Sequence, residues 1–360
     1  MKSYLGNSSH REIPGIIQKN NIKRIFLVTN KNSFVTSGVS QYIFQALNDC
    51  EYKRFSDFRI NPTLEDVKKG IRSFLEYQPD LIIGVGGGSA MDMSKLIHHL
   101  AAYKSINQET ITGGITDHKI SNKLMLIPTT SGSGSEATRF AVVYIDNKKY
   151  SVQHNSILPD YSIVDGLLTE KLPADITAYT GIDAISQAIE SYWAKGANKK
   201  SKSYALKALK YLVPSIRDVI VKPTHELREN MALGAFYAGK AIDISKTTLP
   251  HACSYYLTTK YGFPHGHAVG IVLPYFLVAN AAALDITPIL RIFKVRSALE
   301  LKTQFITMMK EIGLYQSLEY ILKDDVECFI NAINPERLKN NPVTFTKEQF
   351  TSLFNPKDDL

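Results

Sequence analysis

The run Gly84-Val-Gly-Gly-Gly-Ser-Ala-Met-Asp92 constrains this chain more than any other stretch, because it joins the apolar run Leu81–Ile83 to a helical pattern from Met91 to Tyr103. Consecutive glycines let backbone come close to a ligand that side chains would exclude. Free N–H groups at a helix start then hold anionic oxygens. A strand, a glycine turn and a helix in that order describe a cradle for the phosphates of a nucleotide. The same residues would also suit a tight strand-to-helix turn with no ligand, so the motif needs support from elsewhere in the chain.

A second loop supplies that support. Pro128-Thr-Thr-Ser-Gly-Ser-Gly-Ser-Glu136 follows the apolar run Leu124-Met-Leu-Ile-Pro128 and adds hydroxyls and flexible glycines at the carboxyl edge of the sheet, where α/β folds bind ligands. Two such loops favour a dinucleotide, with Gly86, Gly87, Gly88, Ser89, Asp92, Thr129, Thr130 and Ser133 as the expected contacts. The G-x-G-x-x-G spacing of the ordinary Rossmann fingerprint is missing, which points to a different dinucleotide fold. At the end of the first strand an acidic residue normally accepts the adenosine ribose hydroxyls. Here Asn30 stands there, followed by Lys31, so NADPH is favoured, although Asn30 can also bond the ribose of NADH.

Short apolar runs at Arg24–Thr29, Asp80–Val85, Leu124–Pro128, Phe140–Ile145 and Tyr161–Asp165 alternate with amphipathic stretches such as Ser40–Leu47, the pattern of parallel strands with helical crossovers. After residue 168 strand signals nearly vanish. Apolar residues then recur at three- and four-residue steps, as in Ile182, Ile185 and Ile189 or Leu206, Leu209, Leu212 and Val213. The expected architecture is an α/β dinucleotide-binding domain over 1–168 and an all-helical domain over 169–360, with the polar stretch after Lys323 as a short cap. A length of 360 residues, 44% of them hydrophobic, lets each domain bury a core.

The N-terminus lacks the basic-then-apolar pattern of a secretory signal, and no window approaches the roughly 18 apolar residues of a membrane span. A cytoplasmic location and no membrane partner are expected. Cys50, Cys253 and Cys328 form no CxxC pair, which argues against a disulfide framework or a thiolate metal site. The net charge of +8 comes from scattered lysines, and even the group Lys195 to Lys202 lacks the interleaved aromatics of a nucleic-acid platform. No nucleic-acid partner is expected.

In the helical half, Asp183, His251 and His265 offer a carboxylate and two imidazoles, a set suited to Fe²⁺ or Zn²⁺ with an open coordination position. Each alone reads equally as a core histidine or a helix cap. Their contexts, Thr180-Gly-Ile-Asp-Ala184, Leu249-Pro-His251 and Gly262-Phe-Pro-His-Gly-His267, single them out.

Taken together, GGGSAMD, PTTSGSGSEAT, TGIDAISQAIE and FPHGHA resemble the iron-containing (group III) alcohol dehydrogenases in order and approximate spacing, over nearly the whole chain. The resemblance implies that family's dehydroquinate synthase-like fold, NADPH or NADH as cofactor, one divalent metal and a small aldehyde or alcohol as substrate. It also implies that Lys149 reaches the cofactor. Two positions depart from the family pattern. Gln187 stands where a histidine four residues after the carboxylate ligand is expected, leaving either an amide-oxygen ligand or a three-ligand site. Tyr255 replaces a further histidine. His267 and Tyr255 are the candidates for carrying a proton to the product oxygen.

The segments Ala241 to Ala252, Asp183 to Trp193 and Tyr261 to Ala268 resemble the phosphonoacetaldehyde reductases, which make 2-hydroxyethylphosphonate in phosphonate biosynthesis. A physical reading agrees: Lys246, Thr247 and Thr248, just ahead of His251, offer a cation and two hydroxyls for a phosphonate, with Arg139 as a second cation. A general alcohol or polyol dehydrogenase and a catalytically silent nucleotide-binding relative are the alternatives. A homodimer is expected.

Overall fold

Parallel strands buried on both faces read as nearly unbroken apolar runs, and the runs identified above behave in this way. The computed structural model describes residues 1–47, 50–112, 122–146, 148–323, 325–333 and 338–354. They form two compact units, Met1–Leu172 and Pro173–Leu360.

In the first unit β1 (Lys2–Leu5), β2 (Arg24–Thr29), β3 (Glu51–Phe55), β4 (Leu81–Gly86), β5 (Lys123–Pro128) and β8 (Tyr161–Val164) make one parallel sheet in the order β1-β8-β5-β4-β2-β3. Successive side chains of a strand point to opposite faces. Thus Phe26, Val28, Ile82, Leu124 and Leu126 join the core on one side, and Ile25, Leu27, Ile83, Met125 and Ile127 the core on the other. Helices α1 (Val39–Ala46), α2 (Leu64–Tyr77) and α3 (Gly88–Leu100) supply the apolar faces that cover the sheet. Strands β1 and β3 are unannounced by any apolar run, being short edge strands, KSYL and EYKRF, of polar composition.

One expected strand belongs elsewhere. Phe140–Ile145 does not extend the main sheet; as β6 it pairs antiparallel with β7 (Lys148–Gln153) in a separate two-stranded ribbon. Its alternating burial is the reason: Ala141 and Val143, with Val152 opposite, face the core while intervening residues are more open. Asn147, between β6 and β7 in the sequence, and Pro335, in the polar C-terminal stretch, lie outside the described residues.

The second unit has helices and no strand among its described residues, with α4 (Ala174–Trp193), α5 (Lys199–Val221), α6 (His225–Ser245), α7 (Leu249–Tyr261), α8 (His265–Ala281) and α9 (Ala298–Glu311) as its longest elements. Helix α4 is central, buried on all sides from Gly181 to Trp193. The start of α8 presses directly on it. A Cβ at Gly266 would collide with the Tyr179 carbonyl and lie 2.8 Å from Asp183 Cβ. That glycine lets the chain on either side of it, His265 and His267, come down beside Asp183.

Candidate metal centre and nucleotide loop

The glycine loop joins strand to helix as the sequence suggests, and it is tightest at Gly86. Gly86 has φ of +153°, and a Cβ there would lie 2.5 Å from Asn30 Oδ1. At Gly87 the nearest atoms belong to Thr130, and at Gly88 to Ser133 Oγ, 3.2 Å from a Cβ built there. The first and second loops therefore meet, with Asn30 at their side. Helix α3 opens at Gly88 with no side chain capping it, which leaves its first N–H groups available for an anion. Thr129 donates its backbone N–H to Gly86 O at 2.9 Å, and Ser89 Oγ accepts the N–H of Asn61 at 3.1 Å.

Asp92 faces inward. One carboxylate oxygen accepts from Ser135 Oγ at 2.7 Å and the other from Val142 N–H at 3.0 Å, so this residue anchors the second loop and the ribbon. Burial pushes its carboxyl up, against the pull of Lys95, Ser135, Val142 and Lys149. Lys149 is half-buried on β7, opposite Tyr144. The guanidinium of Arg139 donates to Asn155 Oδ1 at 3.1 Å.

A cation that sequence reasoning missed stands next to Asn30. Arg54, the penultimate residue of β3, donates to Thr29 Oγ1 at 2.8 Å, to Asn30 O at 3.0 Å and to Lys31 O at 2.8 Å. The signal would have been recognition of β3 itself, since parallel neighbours β2 and β3 end side by side.

In the helical unit, α4 carries Asp183, α7 carries His251 and α8 begins at His265. One ligand atom from each converges, all within 4.8 Å of one another. Asp183 Oδ1 lies 3.2 Å from His251 Nε2, an ion-pair contact that falls short of hydrogen-bond geometry. Gln187, one turn along α4 from Asp183 and 4% exposed, has an Oε1 that is likewise buried without a hydrogen-bond partner. A buried acceptor left in this state costs roughly 1–3 kcal/mol, a cost that a cation beside it removes. The donor set, two nitrogens and two oxygens, fits a divalent ion such as Fe²⁺ or Zn²⁺.

The electrostatics agree. Burial would push the Asp183 carboxyl up, but His251, His265 and the Gln187 amide more than reverse this and hold it below its ordinary range. Burial would likewise lower His251, yet the Glu190 and Asp183 carboxylates prevail and raise it to about 10. Two buried carboxylates around one imidazole leave an excess of negative charge that a divalent cation would neutralise.

The comparison with known proteins is decisive at this point. Residues 1–166 match the family model described as iron-containing alcohol dehydrogenase, and residues 177–357 match the C-terminal model of the Fe-containing alcohol dehydrogenase family. The chain belongs to the iron-containing alcohol dehydrogenase family. As a member it is an oxidoreductase that works with NAD(P)H and a divalent metal. Long-chain-alcohol dehydrogenase 1 of Geobacillus thermodenitrificans is 31% identical over 280 residues, which are 76% of this chain and 71% of that protein. Against aldehyde-alcohol dehydrogenase 2 of Entamoeba histolytica, 30% identical over 274 residues, the match spans 31% of the longer protein. Among solved structures, the sulfoacetaldehyde reductase of Bifidobacterium kashiwanohense in complex with NAD⁺ superposes with a TM-score of 0.92 at 28% identity, covering 99% of this chain and 96% of that one.

Within this alcohol dehydrogenase fold the two relay candidates stand in different surroundings. The Tyr255 ring stacks on the His265 ring, centroids 5.7 Å apart and planes 12° from parallel. His267 is buried with Nε2 2.6 Å from the Leu314 carbonyl, a bond that ties α8 to the segment following α9. Burial holds its imidazole below the ordinary range.

The anion group also divides. Lys246 is exposed and ends α6. Thr247 is buried and its carbonyl accepts from Asn340 Nδ2 at 2.9 Å. Thr248 corrects the expectation of a substrate-facing hydroxyl: it is fully buried, its N–H and Oγ1 both donate to Glu190, and Trp193 Nε1 donates to that same Oγ1. Among the described residues no helix is long and apolar enough to cross a membrane.

Proposed function

We propose that this dehydrogenase reduces a short aldehyde carrying an anionic phosphonate or sulfonate group, with phosphonoacetaldehyde as the first candidate and NADPH as the favoured donor. The observation that carries the reading is Lys246. Its backbone sits at φ 61°, ψ 174°, a region essentially reserved for glycine, in the turn five residues before His251. Such strain costs on the order of 1–3 kcal/mol and persists where a fixed geometry serves a site. Here it would fix where an exposed ammonium stands relative to His251.

In this reading Asp183, His251 and His265 hold the metal, with Gln187 as an oxygen ligand. A bound metal would supply Lewis acidity and a bound nicotinamide would supply hydride. Reduction would also need a proton at the product oxygen, for which Tyr255, its ring stacked on that of His265, is the better-placed donor. Asn30, with Arg54 and Lys31 nearby, replaces the usual acidic residue at the adenosine ribose and so suits a 2′-phosphate. The Gly86–Ser89 loop, Thr130 and Ser133 receive the pyrophosphate. A cytoplasmic homodimer is the assembly we expect.

Likeness to a long-chain-alcohol dehydrogenase favours a second reading, a general alcohol dehydrogenase with no anion pocket. Steady-state kcat/KM for phosphonoacetaldehyde, sulfoacetaldehyde and propanal separates the two. The proposal expects a charged aldehyde to exceed propanal by at least tenfold, and equal values would favour the general reading.

A further inference from the structure

Glu190 belongs to no ligand set, yet it is fully buried at the heart of the helical unit. It lies seven residues after Asp183 on α4, two turns along the same face. A carboxylate in such a place must have its oxygens satisfied or the fold bears a large desolvation cost. One oxygen, Oε1, pairs with His251 Nδ1; the other, Oε2, accepts Thr248 N–H at 2.6 Å and Thr248 Oγ1 at 2.8 Å.

The directions of these bonds are fixed by what each partner can do. An indole nitrogen only donates, so Trp193 Nε1–H points at Thr248 Oγ1, 2.9 Å away, and the threonine hydrogen must point at Glu190. The Glu190 oxygen beside His251 accepts, which places a proton on Nδ1. That leaves Nε2, the nitrogen 3.2 Å from Asp183 Oδ1, as the one aimed at the metal.

The same carboxylate reaches the strained turn. Thr248 follows Lys246 by two residues, and the turn is clamped from its other side by Asn340, whose Nδ2 donates to Ser245 O and Thr247 O, each at 2.9 Å. Asn340 is itself held, accepting Gly196 N–H on Oδ1 at 3.0 Å and Lys195 N–H on its backbone carbonyl at 2.9 Å.

We propose that Glu190 is a positioning residue that joins the ligand His251 to the Lys246–Thr248 turn, so that the metal and the Lys246 ammonium stand at a set separation. The metal half of this inference stands by itself, while the turn half rests on the anionic-aldehyde reading above.

The test uses the full chain stripped of metal and titrated with Co²⁺, read by calorimetry and by the visible spectrum of the bound ion. Glu190→Gln keeps size and shape but turns one oxygen into a donor. It should weaken Co²⁺ binding by about 10–100-fold and shift the spectrum, the usual range for losing a carboxylate behind a ligand histidine. Thr248→Val, whose side chain touches no ligand, should weaken Co²⁺ binding by about fivefold, as expected for one hydrogen bond. Both variants should also reduce the ratio of kcat/KM for phosphonoacetaldehyde over propanal, and Glu190→Asp should recover part of the metal affinity. Thr248→Val keeps the test open should Glu190→Gln fail to fold. Wild-type Co²⁺ affinity and spectrum in folded Glu190→Gln, or wild-type affinity in Thr248→Val, would overturn the coupling. A wild-type protein that does not prefer the charged aldehyde would instead remove the substrate reading and leave the metal affinities to decide the role of Glu190.

Discussion

The two units make their sites from different materials. In Met1–Leu172 the proposed nucleotide surface is mainly backbone: a glycine turn, the open start of α3 and short hydroxyl side chains along a second loop. In Pro173–Leu360 it is side chains on rigid helices, with Asp183, Gln187 and Glu190 spaced along α4 and the two histidines brought to it by α7 and α8. Backbone recognition tolerates variation in sequence wherever small residues are kept. A side-chain centre fails with one substitution, because each ligand is a distinct atom.

That contrast predicts its own largest effect. His265→Ala should lower metal affinity and turnover by more than about 100-fold, beyond the range for outer partners of a ligand, while NADPH binding measured by fluorescence stays within twofold of wild type. Equal loss of nucleotide binding would show that the units do not fail separately.

Next in size is a pH effect inside the first unit. Glu136 is 2% exposed and its Oε2 has no hydrogen-bond partner. Burial pushes its carboxyl from an ordinary 4.5 up to about 7, against the pull of Lys95. Between those values the folded protein binds the proton more tightly than the unfolded chain does, so stability falls as pH rises across that window. At roughly 1.4 kcal/mol per unit the loss approaches about 3 kcal/mol by pH 8. Glu136→Gln should abolish that slope in urea melts between pH 5 and pH 8, and an unchanged slope would mean the group ionises freely.

Lys246→Ala should lower kcat/KM for phosphonoacetaldehyde by about 1.5–3 kcal/mol, ten- to a hundredfold, with little change for propanal. Equal losses on both substrates would move Lys246 from anion binding to support of the metal centre. The smallest change expected is in cofactor choice. Asn30→Asp should shift the NADPH-to-NADH ratio of kcat/KM toward NADH by about 1–2 kcal/mol, through repulsion of a 2′-phosphate and acceptance of ribose hydroxyls. An unaltered ratio would separate Asn30 from the ribose.

Legibility in the sequence follows the same division. The glycine loop was readable because its chemistry is local: strand, turn and helix are consecutive, and Gly86, Gly87 and Gly88 declare the close approach themselves. Asp183, His251 and His265 were readable as residue types, but what surrounds them was not. Nothing in the linear order connects Glu190 with Thr248, 58 residues away, or Asn340 with Ser245, 95 residues away. Thr248 was misread for this reason, since a hydroxyl beside a lysine suggests an anion until a buried carboxylate is found facing it. Strand β3 was hidden by its polar edge sequence, and Arg54 was hidden with it. Phe140–Ile145 was read with the parallel strands because an apolar run does not say which strand it will pair with.

Aldehyde reduction by this chain is expected to need a metal held in the helical unit. The most direct measurement strips the purified chain with a chelator, reloads it anaerobically with Fe²⁺ and follows metal content beside NADPH oxidation with phosphonoacetaldehyde. The loaded protein should hold about one metal per chain, with turnover lost on stripping and restored on reloading. Full turnover in the metal-free chain would contradict it.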